Sequence, residues 1–194
     1  MKKKDGFKGE KTIVLPEKII QEIKCNPLIN SLYVTDIGYY PRALYHYRER
    51  KKYCSENILI YCTEGKGWYK VNKNTKNVQA NEFFILPANV SHCYGSDEKD
   101  PWTVYWVHFS GTKAEFFVPK EVPVQHIDQS ESGRIRDRLF LFDEIFENLQ
   151  FGFSNNNLEY ANTCLWHLLG SFRYISEFRK IRQIRNRDLI EKSI

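Results

Sequence analysis

The sequence lacks any long hydrophobic run, and no stretch approaches the ~20 apolar residues that a membrane-spanning helix requires. A secretion signal is also missing, because the N-terminal residues MKKKDGFKGEK are charged and no apolar core follows them. The five cysteines form no Cys-x-x-Cys pair, and their odd number favours free thiols in a reducing compartment over a disulfide framework. We therefore expect a cytoplasmic protein with no membrane partner.

Clusters of metal-ligating or catalytic side chains are scarce as well. The five histidines are scattered, whereas a metal ion needs three or four convergent ligands. His92 and Cys93 are adjacent, but neighbours on a strand point to opposite faces and cannot act as base and nucleophile. We expect no catalytic residue, no metal site and no cofactor, and a metal-binding pair of His92 with His46 or His108 stays open as an alternative.

The charge of the chain is modest and evenly spread. The formal net charge is +5, and lysine and arginine occur throughout the sequence, so charge alone does not indicate a nucleic-acid partner. A local basic run at residues 179–187 has the composition of a phosphate-contacting segment and, equally, of a solvated helix end.

A series of short strands is present between Asn57 and Gly111. Apolar and aromatic runs at 58–62, 68–71, 83–86 and 102–109 are separated by Gly-, Asn- and Pro-containing turns. The run at 83–86 is too apolar to be half exposed, and residues 72–77 read as a polar loop. This spacing predicts a small antiparallel barrel or jelly roll.

The preceding residues extend the barrel. Residues 1–12 are rich in lysine and glycine and are predicted to be mobile, and a short helix follows at 17–24. Residues 32–40 form a first strand. In the second strand, His46, Arg48 and Arg50 alternate with aromatic residues, so one face is basic. The alternation alone leaves open whether that face points into the barrel or into solvent.

After residue 128 the apolar period changes from two to between three and four, which predicts two helices, at about 135–149 and 158–182. The predicted fold class is mostly β with C-terminal α, a barrel followed by an antiparallel helix pair. We divide the chain into an N-terminal arm with a short helix (1–27), the barrel (28–128), the helix pair (129–182) and the start of a linker (183–194).

Three segments carry a resemblance to a known family. They are the Gly-x-Gly turn of EGKGWYKVN, the strand-turn-strand of FFILPANVSH and the strand of PWTVYWVHFSG. In this order and spacing they resemble the cupin-type sensor domain of AraC-family transcription regulators, over roughly residues 28–117. The resemblance implies a ligand-binding and dimerisation domain, not an enzyme. It also implies DNA binding through a C-terminal helix-turn-helix domain, which we expect to be absent from this chain.

The resemblance also implies where a ligand would bind. Arg50 falls where a family arginine reaches the ligand, and Tyr94 and Trp106 match positions that touch a sugar. Val104 stands where the family's sugar-binding member has a histidine, so this sequence departs from that pattern. The residues predicted to bind a ligand are Tyr39, His46, Arg50, His92, Tyr94 and Trp106.

The sequence thus predicts a sensor of a small polar effector, a sugar or sugar derivative, that acts as a homodimer. The alternative is a small cupin enzyme, an isomerase or lyase. The apolar surface of the second helix exceeds what the first helix can cover, which predicts a dimer contact there, with burial of both faces of that helix within one chain as the alternative. The predicted contact residues are Leu165, Trp166, Leu169 and Phe172.

Overall fold

The computed structural model describes residues 2–51, 54–130 and 133–179. Its strands are β1 Lys11–Val14, β2 Tyr33–Tyr40, β3 Tyr47–Arg50, β4 Asn57–Glu64, β5 Lys66–Val71, β6 Asn74–Gln79, β7 Glu82–Leu86, β8 His92–Ser96, β9 Thr103–Ser110 and β10 Gln125–His126. Its helices are α1 Glu17–Cys25, α2 Ile135–Gln150 and α3 Asn155–Arg173, with a short 3₁₀ helix at Ala114–Phe117. The predicted fold class, mostly β with C-terminal helices, is confirmed.

The strands form two antiparallel sheets that face each other. The six-stranded sheet has the order β1-β2-β9-β4-β7-β10, and the four-stranded sheet has the order β3-β8-β5-β6. The larger sheet is buried on both faces, because Ile58 and Ile60 of β4 join an apolar cluster shared with the smaller sheet. Leu59 and Tyr61, which point to the opposite face, join a second cluster shared with α2 and α3. Double-sided burial explains why β4 reads as a continuous apolar run.

The interpretation of residues 72–77 as a loop is wrong. β5 and β6 form a hairpin in which Val71 pairs with Asn74, so Asn72 and Lys73 alone make the turn. Asn72 has a φ of 56°, a conformation that asparagine adopts more readily than most residues. In β6 only Val78 is buried. The strand therefore lacks the apolar alternation by which a sequence reveals a strand.

Residues 2–14 are fixed by backbone pairing, contrary to the prediction of a mobile N-terminus. All four residues of β1 pair with β2 of the larger sheet. Nearer the N-terminus, the Lys3 amide donates to the Tyr45 carbonyl, and the Tyr47 amide donates to the Lys3 carbonyl, both at 2.9 Å. Phe7, between these two contacts, is buried. The N-terminal segment thus joins the two sheets.

The helices α2 and α3 cover the face of the larger sheet that points away from the smaller one. Ser154 is the N-cap of α3, and its hydroxyl accepts a hydrogen bond from the Asn157 amide at 3.3 Å. Arg138 of α2 is 1% exposed, and its guanidinium donates to the carbonyls of Ser171 (2.7 Å) and Gly133. Arg138 therefore ties the two helices together. No helix within the described ranges is long and apolar enough to cross a membrane.

Three of the four residues predicted at a dimer contact are buried inside this chain. Leu165, Leu169 and Phe172 are at most 1% exposed, because this face of α3 packs on the larger sheet and on α2. Trp166 is 40% exposed, and its ring lies 5.4 Å from that of Phe117. The contact prediction is wrong for the three buried residues. The predicted linker at 183–194 lies outside the described residues, as does most of the basic run.

Candidate functional site

A partly open cavity of about 260 Å³ lies between the two sheets and is the candidate site. Its wall is built from both sheets and from the N-terminal segment, so it exists only in the folded chain. The lining residues are Asp5, Glu10, Thr12, Val14, Asp36, Tyr40, His46, Arg48, Arg50, Ile60, Tyr94, Val104, Trp106 and His108.

The structure brings four of the six predicted ligand-binding residues together in this cavity, namely His46, Arg50, Tyr94 and Trp106. The basic face of β3 therefore points inward, which settles the alternative that the alternation left open. The same alternation identifies Arg48, which lines the cavity and which the prediction missed.

The other two predicted residues do not line the cavity. Tyr39 lies on the opposite face of β2, where its ring is 4.7 Å from that of Tyr105, and the neighbouring Tyr40 lines the cavity instead. His92 is buried beside the cavity with its ring stacked 6.1 Å from that of Tyr94. Its Nδ1 lies 2.8 Å from the Val90 carbonyl, and burial lowers the pKa of His92.

Aromatic rings form much of the wall. The ring of Tyr40 lies 5.2 Å from that of His46 and 5.3 Å from that of Trp106, and His46 lies 5.7 Å from Tyr94. The Trp106 indole packs over Gly38 of β2. A Cβ at Gly38 would overlap that indole and lie 2.7 Å from the Lys11 carbonyl oxygen. Glycine at position 38 therefore makes room for the ring.

His46 is held as a neutral imidazole. Burial lowers its pKa to about 3, and the nearby charge of Arg48 acts in the same direction. The Trp102 indole N–H donates to His46 Nδ1 at 3.2 Å. Because Nδ1 accepts this hydrogen bond, the imidazole hydrogen is on Nε2.

Asp36 and His108 form a pair on the cavity wall, on β2 and β9. His108 Nδ1 lies 3.4 Å from Asp36 Oδ2, which also accepts a hydrogen bond from the Thr35 hydroxyl at 2.8 Å. Burial raises the pKa of Asp36, but the hydrogen bond and charge of His108 and the Thr35 hydroxyl outweigh burial, and the net pKa is lowered. Sequence reasoning missed this pair because a register shift between Val34 and Asp36 sets the pairing.

The N-terminal segment supplies one side of the wall. Phe7 packs 5.0 Å from the ring of Tyr40 and 5.3 Å from that of His46. Glu10 Oε2 accepts hydrogen bonds from the backbone amides of Gly6 and Phe7, both at 2.8 Å. The position of residues 5–14 is therefore coupled to the aromatic residues of the cavity.

Two other features of the structure do not form a comparable site. A larger hollow of about 820 Å³ lies on the outer face of the smaller sheet, but exposed residues such as Lys70 and Lys99 line it. Cys93 faces that hollow rather than the cavity, so it does not meet His92. Within the described ranges, no group of three or more histidine, cysteine, aspartate or glutamate residues is placed to hold a metal ion.

Comparison with known proteins gives three findings. The chain is 30% identical over 120 residues to the MmsAB operon regulatory protein of Pseudomonas aeruginosa, covering 58% of this chain and 39% of that protein. It is 29% identical over 82 residues to the raffinose operon transcriptional regulatory protein of Pediococcus pentosaceus, covering 40% and 30%. A solved structure, a cupin 2 conserved barrel domain protein from Leptotrichia buccalis, matches with a TM-score of 0.36 at 13% identity, covering 60% and 49%.

The chain thus spans about two fifths or less of the length of these curated relatives. A family model, described as the AraC-like ligand binding domain, matches residues 37–150. This match includes every strand from β3 to β10, half of β2 and the whole of α2. Because it covers more than half of the chain, the chain belongs to the family of AraC-like ligand binding domains.

Proposed function

We propose that this chain is the effector-sensing part of a transcription regulator and that it binds a small polar molecule, a sugar or sugar derivative, in the cavity between the sheets. The observation that carries the proposal is the cavity wall, where the rings of Tyr40, Tyr94 and Trp106 lie beside Arg48 and Arg50. Aromatic faces stack on the C–H face of a sugar, and basic side chains donate to its oxygens. The name of the raffinose operon relative supports a carbohydrate.

The response to the effector would pass through the N-terminal segment. Its residues form part of the cavity wall and pair with both sheets. A ligand that prefers one position of this segment shifts the population towards it, and nothing more is required thermodynamically. DNA binding would belong to a part of the regulator beyond this chain, and a cytoplasmic location follows from that role.

A thermal-shift screen of sugars and sugar acids tests the sensor proposal. A ligand present at about 100 times its Kd stabilises the native state by about 2.7 kcal/mol. In a chain of this size that raises Tm by about 5–10 °C. If no compound in a broad screen of polar metabolites raises Tm, the proposal is wrong.

Matched variants place the ligand in the cavity. Ile60→Phe adds volume on the cavity side of β4, whereas Leu59→Phe adds volume on the helix side. Both variants should be destabilised by about 1–3 kcal/mol through overpacking. Only Ile60→Phe should lose the ligand-induced rise in Tm, and an undiminished rise in this variant would put the ligand elsewhere.

A second candidate function, a small isomerase or lyase, is favoured by the Asp36–His108 pair on the cavity wall. Such a pair is a chemically competent acid and base. Prolonged incubation of the purified chain with each compound that binds, followed by NMR, separates the two candidates. Conversion that disappears in His108→Gln would establish the enzyme and overturn the sensor-only proposal.

We also propose that the chain forms a homodimer through the exposed side of α3. Tyr160 and Trp166 are 46% and 40% exposed there, and Tyr174, directly after the helix, is 52% exposed. Trp166→Glu should leave the chain folded and convert dimers to monomers in light scattering. Phe140→Glu, at a residue of α2 that is 61% exposed, is the matched control and should stay dimeric. A monomeric wild-type chain would contradict this proposal.

A further inference from the structure

The cavity contains three buried nitrogen atoms that have no hydrogen-bond partner within the described ranges. They are Nε of Arg50, Nε1 of Trp106 and Nε2 of His46. All three residues line the same cavity, and Trp106 and His46 are 8% and 4% exposed. The ring of Tyr40 lies between the imidazole and the indole, 5.2 Å from one and 5.3 Å from the other.

Each of the three atoms is a hydrogen-bond donor. A guanidinium and an indole N–H donate and never accept. Nε2 of His46 also carries a hydrogen, because the imidazole is neutral and its Nδ1 accepts from Trp102. Buried donors without acceptors are costly, and native structures contain few of them. Their presence together around one cavity indicates that a ligand supplies the acceptors.

By contrast, no buried acceptor atom of the cavity wall lacks a hydrogen-bond partner within the described ranges. Glu10 Oε2 accepts from two backbone amides, and Asp36 Oδ2 accepts from the Thr35 hydroxyl and faces His108. Burial raises the pKa of Tyr40, and the nearby Thr12 hydroxyl and Arg48 act in the opposite direction. Asp5 is exposed. The surplus of hydrogen-bonding capacity in the cavity is therefore on the donor side.

A neutral sugar hydroxyl donates as well as accepts, whereas a carboxylate only accepts and also carries the charge that suits an arginine. Nε of Arg50 has no hydrogen-bond partner in the part of the chain that the structure describes. We propose that the effector carries a carboxylate, that Arg50, Trp106 and His46 bind it, and that the effector is a sugar acid. This inference rests on the proposed effector-binding function of the same cavity.

Calorimetric titration of the full 194-residue chain with matched pairs tests the inference. The pairs are glucuronate and glucose, galacturonate and galactose, and gluconate and sorbitol, with glucose 6-phosphate as a second kind of anion. At least one acid should bind at least about 10-fold more tightly than its neutral partner, because a charged hydrogen-bonding group is lost in the partner. Tighter binding of the phosphate than of every acid would overturn the assignment of a carboxylate.

Two variants of the donors identify the site. Arg50→Gln should weaken acid binding by about 10- to 100-fold and should weaken binding of the neutral partner by a smaller factor. Trp106→Phe keeps an aromatic ring but removes the N–H, and it should weaken acid binding by about 5- to 10-fold. Lys70→Gln, which removes a positive charge from the outer face of the smaller sheet, is the control and should bind as the wild type does.

The outcomes separate this inference from the proposed function. If a neutral sugar binds as tightly as its acid and Arg50→Gln leaves that binding unchanged, the inference is overturned while the sensor proposal stands. If the broader thermal-shift screen finds only uncharged ligands, the carboxylate inference is likewise overturned while the sensor proposal stands. If no compound of either kind binds the chain, both proposals are wrong.

Discussion

The two faces of the six-stranded sheet are made by alternate residues of the same strands, yet they serve different purposes. In β9, Val107 and Phe109 pack in the apolar cluster under the helices. Trp106 and His108, one position away, line the cavity between the sheets. The helix side is filled by leucine, phenylalanine and isoleucine, whereas the cavity side carries rings and charged residues such as Asp36 and His108.

Unpartnered polar atoms occur on both faces, so they do not by themselves mark a site. On the helix side, the hydroxyl of Tyr61 and Nε of Arg138 also have no hydrogen-bond partner within the described ranges. Neither residue lines the cavity, and the other nitrogens of Arg138 donate to backbone carbonyls. The two sets of atoms differ in their surroundings. A ligand can enter the cavity and accept hydrogen bonds from donors on its wall, whereas no ligand can reach donors in the packed core.

The largest expected effect comes from placing a charge on the helix side. Leu169→Glu replaces a residue of α3 that is 1% exposed and packs in the apolar core. Loss of apolar packing and burial of a carboxylate should together cost more than about 4 kcal/mol and unfold the chain. Circular dichroism during urea titration measures the loss.

Trp166→Glu on the exposed side of the same helix is the comparison variant, and its stability should change by less than about 1 kcal/mol. A soluble, fully folded Leu169→Glu variant would show that this face of α3 is not part of the core, and the contrast between the faces of the sheet would be lost.

An intermediate effect is expected from acid on the cavity side. The pKa of His46 is lowered to about 3 in the native chain by burial, against an ordinary value of 6.5. Below pH 6.5 the unfolded chain binds a proton that the native chain does not, so stability falls as the pH falls towards 3. The loss between pH 7 and pH 5 should be up to about 2 kcal/mol.

Urea denaturation at several pH values measures this dependence. His46→Gln should flatten it, whereas His167→Gln, at an exposed position of α3, should leave it unchanged. An unchanged slope in His46→Gln would mean that His46 titrates normally in the native chain. The neutral state of His46, and with it the donor at Nε2, would then be wrong.

The smallest effect comes from the same substitution made on each face. Arg50→Met removes an unpartnered donor from the cavity wall and should raise the free energy of unfolding by about 1 kcal/mol, measured in urea. Arg138→Met removes the guanidinium that donates to the Ser171 and Gly133 carbonyls, and it should lower the free energy of unfolding by about 1–3 kcal/mol. Two losses of equal size would indicate that Arg50 stabilises the fold rather than serving a ligand.

Much of the fold follows from the sequence because burial leaves a periodic pattern. Strands β2, β4, β5, β7 and β9 and helices α1 and α2 carry apolar or aromatic periods and are predicted within a few residues, whereas α3, predicted to reach residue 182, ends at Arg173. β6 and β1 were missed, because an exposed strand and a strand held by backbone hydrogen bonds impose no such pattern.

The candidate site was only partly predictable. The basic alternation of β3 and the resemblance placed Arg50 and Trp106 together with His46 and Tyr94. The adjacent tyrosines 39 and 40 differ only in the face to which they point, and the local sequence does not distinguish these faces. On α3, the sequence likewise gave no means of telling buried Leu169 from exposed Trp166, because both are apolar.

A substitution at Gly38 can change which ligand the cavity binds. The indole of Trp106 occupies the place where a side chain at position 38 would be, so any larger residue there must displace the ring. Gly38 is not among the residues of the cavity wall, yet it determines where one of them lies. Related regulators can therefore come to bind different molecules through a substitution at a position that does not contact the ligand.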